Sequence, residues 1–218
     1  PQLLVIARQN ENIVHRFWAP VDLITAASPN ANDKERVPPD VMSNASRQNQ
    51  AFSFDWTTTY EAPKQGLSVF GKSGVHAEEN FRSWSTGAGG TFSFADDNAT
   101  ISANANQAYD WFDRYDILGH RHGRASRSTS NGNLGFTQIV SPTTVVHANY
   151  GLSLQFGELS NTWNSVPMDT LDRELELMPR RRIRHAFVAR FAQYLPWDGA
   201  LKGFYRLYVD NWGIAAHS

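Results

Sequence analysis

Cysteine is absent from this sequence of 218 residues. Disulfide bonds, thiolate metal sites and thiol nucleophiles are therefore excluded. A strong charge of either sign is missing too, because 20 basic and 21 acidic residues give a formal net charge of −1. Nucleic-acid-binding proteins usually carry a clear basic excess, so this composition argues against such a partner.

Long apolar runs are also missing. No stretch approaches the roughly 18 apolar residues that a membrane-spanning helix needs. Helical periodicity is confined to 168–178, where MDTLDRELELM predicts one or two helical turns inside a loop. A transmembrane β-barrel is still compatible with this hydropathy, because its apolar band uses only every second residue.

Apolar and polar residues alternate over most of the chain. Between 50 and 60, Phe52, Phe54 and Trp56 share one parity, and serine, aspartate and threonine occupy the other. A period of two is the pattern of a β-strand with one apolar and one polar face. We therefore predict an all-β fold with ten strands, over 2–8, 13–25, 48–60, 67–76, 82–94, 99–111, 127–139, 145–157, 182–195 and 200–212.

The predicted connections alternate in length. Short turns fall at 9–12, 61–66, 95–98, 140–144 and 196–199, and long links fall at 26–47, 112–126 and 157–181. Antiparallel strands with short turns at one end and long loops at the other are typical of outer-membrane barrels. We therefore expect a single domain over 1–218, an antiparallel up-and-down transmembrane β-barrel with about ten strands present and its long loops outside the cell.

A secreted soluble β-sandwich that acts as a binding module is the alternative fold. Both folds need alternating parities, so the pattern alone does not separate them. The barrel exposes the apolar parity, for example Phe52, Tyr150 and Leu152, to lipid or detergent, whereas the sandwich buries it in protein. Strands of about 12 residues favour the barrel, because strands in globular sheets average about 5 or 6.

Aromatic residues near the predicted strand ends also favour the barrel. Membrane barrels carry aromatic girdles at both membrane interfaces. On this reasoning we expect interfacial positions for Trp56, Tyr60, Trp111, Tyr194, Trp197 and Trp212. Phe204, Tyr208 and Trp212 share the polar parity of the last strand, which does not fit this pattern.

Charged residues fall on the polar parity and would face the lumen of a barrel. The candidates are Asp55, Arg184, Arg190, Lys202, Arg206 and Asp210. One interpretation is a basic wall that selects anions. The favoured interpretation is that the cations form ion pairs with Asp55, Asp110 and Asp210 and fill a narrow barrel. The neighbouring arginines of 180–182 are candidates for binding lipopolysaccharide phosphates at the outer rim.

Chemical motifs are sparse. His120 and His122 in GHRHGR are weak candidates for zinc or copper, and Asp110, Asp113 and Asp116 for calcium. A solvated polar loop is the favoured interpretation of these residues, so no metal and no cofactor are expected. No Gly-x-Ser-x-Gly turn or readable Ser/His/Asp grouping occurs, and the protein is expected not to be an enzyme.

The C-terminal segment YLPWDGALKGFYRLYVDNWGIAAHS resembles an uncharacterised bacterial family of predicted outer-membrane barrels, the domain-of-unknown-function family 3570. The resemblance rests on Tyr194, Leu195, Pro196, Tyr205, Arg206, Asp210, Trp212, Gly213, Ile214, Ala216 and His217, with Leu207 where tyrosine is usual. VDLITAASPN at 21–30 and KER at 34–36 are similar to a second-strand ending and a charged motif of the family. The family carries no established activity, so the resemblance implies fold and compartment only.

In the family, further strands follow the position of His217. The resemblance therefore implies a sheet that is incomplete at its C-terminal edge. Unpaired backbone groups in lipid cost several kcal/mol each, so we expect either further strands or a protein partner to cover that edge. The function expected from these arguments is a non-enzymatic porin-like channel, or a scaffold for a surface assembly, in the outer membrane of a Gram-negative bacterium. Its partners would be outer-membrane lipid or lipopolysaccharide.

Overall fold

The computed structural model describes residues 2–27, 46–115, 121–160, 165–167 and 173–218. These residues form thirteen strands and one short 3-10 turn at Pro63–Gln65. The strands are β1 (Gln2–Arg8), β2 (Ile13–Ala27), β3 (Ser46–Ala62), β4 (Leu67–Ala77), β5 (Phe81–Phe94), β6 (Ala99–Tyr115), β7 (Arg121–Ser141), β8 (Thr144–Gly157), β9 (Ser165–Pro167), β10 (Arg173–Leu175), β11 (Arg181–Leu195), β12 (Gly199–Asp210) and β13 (Ala215–His217).

Eleven of these strands form one antiparallel up-and-down sheet. The order is β1 to β8 in sequence, followed by β11, β12 and β13. β9 and β10 pair with each other as a separate two-stranded hairpin between β8 and β11. The predicted all-β up-and-down fold is confirmed, and each of the ten predicted strands overlaps an observed one. The sheet is not closed into a barrel, and β1 and β13 are its edge strands.

Cross-strand register assigns every residue of the sheet to one of two faces, because directly opposed residues in an antiparallel pair lie on the same side. Phe54, Val75, Trp84, Tyr109 and Phe156 lie on one side, through successive pairs from β3 to β8. We call this side the aromatic face. The opposite side carries Asp55 and the residues in register with it, and we call it the polar face.

The aromatic face is not covered by a second layer among the described residues. Phe52 is 46% exposed and Tyr150 is 39% exposed, whereas Leu152 is half-buried. The buried apolar residues of the described chain are three alanines, Ala51, Ala62 and Ala99, and none of its large side chains is fully buried. A dry core of the kind that a β-sandwich needs is therefore absent from the described residues.

Two groups of connections lie at opposite ends of the sheet, because successive strands run in opposite directions. The first group comprises 9–12, 63–66, 95–98, 142–143 and 196–198, and we call this side the turn end. The second group, at the loop end, comprises 28–45, 78–80, 116–120, 158–180 and 211–214. Both connections longer than five residues, 28–45 and 158–180, therefore lie at the loop end.

The predicted loop over 112–126 is wrong for most of its length. β6 continues to Tyr115 and β7 begins at Arg121, which leaves 116–120 outside the described residues. Arg121 donates a hydrogen bond of 2.7 Å to Asp113, and Phe112 stacks on Phe81 at 6.3 Å between ring centroids. The polar composition predicted a loop, but charge pairing across the two strands keeps them extended.

The other two predicted loops also change. β2 ends at Ala27 and β3 begins at Ser46, so the predicted loop 26–47 is reduced to 28–45, which lies outside the described residues. Within 157–181, Arg173–Leu175 pairs with Ser165–Pro167 as strands. The helical turns predicted over 168–178 are therefore wrong at 173–175, because cross-strand pairing overrides the helix propensity of a short segment.

Candidate functional site

The polar face brings all six predicted charged residues together on one side of the sheet. Asp55 lies on β3, Arg184 and Arg190 lie on β11, and the remaining three, Lys202, Arg206 and Asp210, lie on β12. Register places Arg184 opposite Asp210, Arg190 opposite Phe204, and Lys202 opposite Ala192. Sequence parity alone therefore located this face.

Asp110 is one of two buried carboxylates on the polar face. Ser83 donates a hydrogen bond of 2.7 Å to Oδ1 of Asp110, and Arg127 donates to Oδ2 from Nε at 2.9 Å. The guanidinium of Arg127 also lies 5.7 Å from the ring centroid of Phe112. Three neighbouring strands are thus tied together near the loop end.

Asp210 is the second buried carboxylate, and it closes β12 at the loop end. It accepts hydrogen bonds from Arg182, from Tyr208 and from the backbone N–H groups of Trp212 and Ile214. Burial on its own would raise the pKa of Asp210, but the hydrogen bonds from Arg182, Ile214, Tyr208 and Trp212 outweigh it and lower the pKa to about 2. The DNWGI segment of the sequence is therefore a hydrogen-bonded turn built around an ionised carboxylate.

Asp55 lies against a glycine instead of a cation. A Cβ atom at Gly74 would lie 2.3 Å from Oδ1 of Asp55, so the carboxylate occupies the space that a side chain would fill. Gly87 and Gly89, on the adjacent strand, are similarly overlaid by Asn106 and by Phe70. Glycines on this face allow the neighbouring polar and aromatic side chains to lie flat over the sheet.

The favoured network of ion pairs does not form around four of the predicted cations. Arg184 instead donates hydrogen bonds to two neutral groups, Ser153 at 3.2 Å and Gln155 at 3.0 Å. Within the part of the chain that the structure describes, Arg190, Lys202 and Arg206 have no acidic partner within 4.0 Å. Register accounts for this, because Asp110 lies on β6, three strands away from β11, and Asp210, at the loop end of β12, is bound by Arg182.

The predicted interfacial aromatics lie in three different surroundings. Trp56, Tyr60 and Trp111 are exposed on the aromatic face, and Tyr194 and Trp197 are exposed at the turn end. Trp212 differs, because its indole lies under the guanidinium of Arg182, 4.3 Å away, and donates a hydrogen bond of 2.8 Å to the Arg181 carbonyl. Trp212 therefore packs within the loop-end turn and is only half-exposed.

A hydrogen-bonded Ser/His/Glu arrangement was missed by sequence reasoning. Ser53 Oγ lies 2.7 Å from Nδ1 of His76, and Nε2 of His76 lies 2.8 Å from Oε1 of Glu78. The three residues are separated in sequence and meet only because β3 pairs with β4 and Glu78 follows β4. Only the strand register could have revealed this grouping.

Three other strand histidines make a similar hydroxyl contact. His15 bonds to Thr58 at 2.9 Å, His147 bonds to Thr137 at 2.9 Å, and His185 bonds to Tyr150 at 2.7 Å. Cross-strand histidine–hydroxyl pairing is thus a repeated feature of this sheet. The Ser53–His76 contact belongs to that pattern, and the carboxylate of Glu78 is what distinguishes it.

The histidine metal candidates are not brought together by the structure. His120 lies outside the described residues, and His122 is an exposed residue of β7. Nearby Asp113 is engaged by Arg121 and Arg124. Across the described ranges, no group of three or more histidine or carboxylate side chains is placed to hold a metal ion.

Comparison with known proteins gives one match. A family model described as "Protein of unknown function (DUF3570)" matches residues 42–218. No curated protein matches the chain, and no solved structure matches it. Among the residues that the structure describes, no helix is long and apolar enough to cross a membrane. The matched range contains all six predicted charged residues of the polar face.

Proposed function

Because the chain belongs to the DUF3570 family, whose model covers β3 to β13, we propose that it forms the wall of a bacterial outer-membrane β-barrel and acts as a porin-like conduit. The proposal assigns no catalytic step to the protein. In this arrangement the aromatic face contacts lipid and the polar face lines an aqueous lumen.

The exposed aromatic face carries this proposal. Large apolar side chains such as Phe92, Trp84 and Leu134 are exposed on long strands, and no second layer covers them among the described residues. Exposed apolar surface of this extent marks a contact with protein or membrane. Lipid is the contact that suits an apolar face extending across the eleven strands of the main sheet.

The spacing of aromatic residues along β5 supports the same assignment. Trp84 lies near one end of the strand and Phe92 near the other, and the residues between them on this face are Thr86, Ala88 and Gly90. Eight residues of strand correspond to about 26 Å along the strand, or about 20 Å of height at a tilt of about 40°, which fits within the roughly 25 Å apolar band of outer-membrane barrels. Two aromatic levels separated by small residues fit the two interfacial girdles.

A polar cluster interrupts the aromatic face on β6 and β7. Gln107 donates to Ser128 at 2.8 Å and accepts a hydrogen bond from Ser130. These three side chains satisfy one another, which lowers the cost of placing them against lipid.

A role as a scaffold for a surface assembly is the second candidate. The observation that favours it is the run of three arginines at the loop end, beside the turn that follows β12. The arginines of 180–182 at the loop end are the proposed contact with lipopolysaccharide phosphates.

The absence of cysteine allows a direct test of the lipid-facing side. Leu134→Cys on the aromatic face and Asn131→Cys on the polar face would each carry one nitroxide label in protein reconstituted into vesicles. Dissolved oxygen should relax the label at 134 more strongly, and a water-soluble nickel complex should relax the label at 131 more strongly. Boiled and unboiled samples run on a gel would report in parallel on a closed barrel.

Equal exposure of both labels to the nickel complex would sink the membrane assignment. A protein that stays monomeric in buffer without detergent would do the same. Conductance across a planar bilayer then separates the two roles, since a conduit conducts and a plugged scaffold does not.

A further inference from the structure

Three exposed cations that have no acidic partner among the described residues lie together on β11 and β12. We propose that Arg190, Lys202 and Arg206 form a binding site for a phosphate-bearing solute, and we call these three residues the basic patch. The inference deepens the proposed function, on which it rests for the route by which solute reaches the patch.

Register places the three cations within reach of one ligand. Arg190 is opposite Phe204, and Lys202 and Arg206 are its two diagonal neighbours on the same face. Diagonal neighbours in an antiparallel pair lie about 7–8 Å apart, a separation that long side chains close easily. The guanidinium and ammonium groups can therefore converge on a single oxyanion.

The three positive charges of the basic patch are not balanced by carboxylates, which favours the binding of an anion. None of the three has an acidic partner among the described residues, and Asp210, the acidic residue on the same two strands, is held by Arg182. Like charges on adjacent strand positions repel each other. A bound phosphate would replace that repulsion with charge-assisted hydrogen bonds, which arginine makes in bidentate fashion.

The basic patch is open on its β11 side, where Val188 and Ala192 flank Arg190. On β12, Phe204 lies between Lys202 and Arg206 and is itself exposed. All three cations are exposed in the structure. His147 lies opposite Arg190 on β8, and its Nδ1 is held by Thr137 at 2.9 Å. If Nδ1 accepts that hydrogen bond, Nε2 carries the ring proton and adds a fourth donor.

The phosphate that binds the basic patch could belong either to a free solute or to a lipid headgroup. The basic patch lies on the polar face, whereas lipid would contact the aromatic face. Access from the aqueous side therefore favours a free solute.

The test is titration of inorganic phosphate into the full chain folded in detergent micelles at low salt, followed by calorimetry. Lys202→Gln combined with Arg206→Gln should weaken phosphate binding by at least tenfold, and Lys202→Arg with Arg206→Lys should restore most of it. Arg16→Gln combined with Lys72→Gln is the matched control. These two cations also lie on the polar face, where they flank Thr57 and are diagonal neighbours of Asp55, and the basic patch is remote from them. Circular dichroism would verify that each variant keeps its strand content.

The outcomes separate the two proposals. A wild-type chain that binds no phosphate overturns this inference while the label pattern at 131 and 134 still decides the membrane assignment. If the control variant loses as much phosphate affinity as the patch variant, phosphate responds only to the general charge of the polar face. That result would also overturn the inference. Binding to phosphatidic acid micelles without binding to inorganic phosphate would overturn the free-solute assignment. If the chain binds phosphate but does not insert into vesicles, the proposed membrane function is contradicted and the phosphate site at the basic patch is supported.

Discussion

Arg182 donates two hydrogen bonds to the same oxygen of Asp210, from Nε at 3.1 Å and from Nη2 at 2.8 Å. The second oxygen of that carboxylate accepts the N–H groups of Trp212 and Ile214. One ionised side chain thus joins the start of β11 to the turn that follows β12. Its protonation should loosen both.

We expect the stability that Asp210 provides to depend on pH. Its pKa in the folded protein is lowered from 3.8 to about 2. A lowered pKa contributes stability that is fully present above the unfolded value and is lost as the pH falls through about 2. Asp210→Asn should therefore lower the midpoint of thermal unfolding at pH 6, and the difference from the wild type should shrink as the pH approaches 2. A difference that stays constant over this range would contradict the assignment.

Asp110→Ala should be strongly destabilising, because it leaves the guanidinium of Arg127 without its partner and removes the acceptor of Ser83. Breaking a fully buried pair costs about 3–5 kcal/mol, and the 30% exposure of Arg127 reduces the expectation to about 2–3 kcal/mol. Asp113→Ala is the control, since its partner Arg121 is 48% exposed and the loss should stay below about 1 kcal/mol. Urea unfolding in detergent would measure both, and equal losses would refute the distinction.

Gly89→Ala should destabilise the sheet by about 1–3 kcal/mol through overpacking. Its new Cβ would lie 2.6 Å from Cβ of Asn104, 2.7 Å from the Ala103 carbonyl oxygen and 2.9 Å from the Phe70 ring. Gly132→Ala is the matched control in the same sheet, because its nearest heavy atom would be 4.0 Å away. The urea midpoint should fall for Gly89→Ala and should stay the same or rise for Gly132→Ala. An unchanged midpoint for Gly89→Ala would show that the polar face around Gly89 is packed less closely than these distances indicate.

Ala95→Gly should stabilise the turn between β5 and β6. Ala95 has a φ of 54°, and Asp96 and Asp97 share this left-handed conformation. Left-handed φ costs an L-residue about 1–2 kcal/mol, so removing the Cβ should yield a net gain of about 0.5–1 kcal/mol after the added chain entropy. Ala103→Gly, inside the extended strand β6, should instead lose stability. The thermal unfolding midpoints of the two variants show whether each substitution raises or lowers stability. A loss of stability in both variants would contradict the backbone strain at Ala95.

Period-two alternation was sufficient to predict the ten strands and the side on which each charged residue lies, because parity survives errors of a residue or two at strand ends. It failed at 112–126, where the chain reads as a polar loop until Arg121 is known to face Asp113. The alternation also does not predict which arginine pairs with Asp210. Arg182 and Arg184 share a parity, and only the register and the turn geometry select Arg182.

Apart from the step from β8 to β11, each strand of the main sheet pairs with the strand before it in sequence. A hairpin is therefore a self-contained unit of two opposed strands and one tight turn. Duplicating or deleting such a unit preserves the direction of every other strand and the parity of both faces. Lineages carrying this sheet could thus change its width in steps of two strands by exchanging short gene segments, without redesigning the residues that remain.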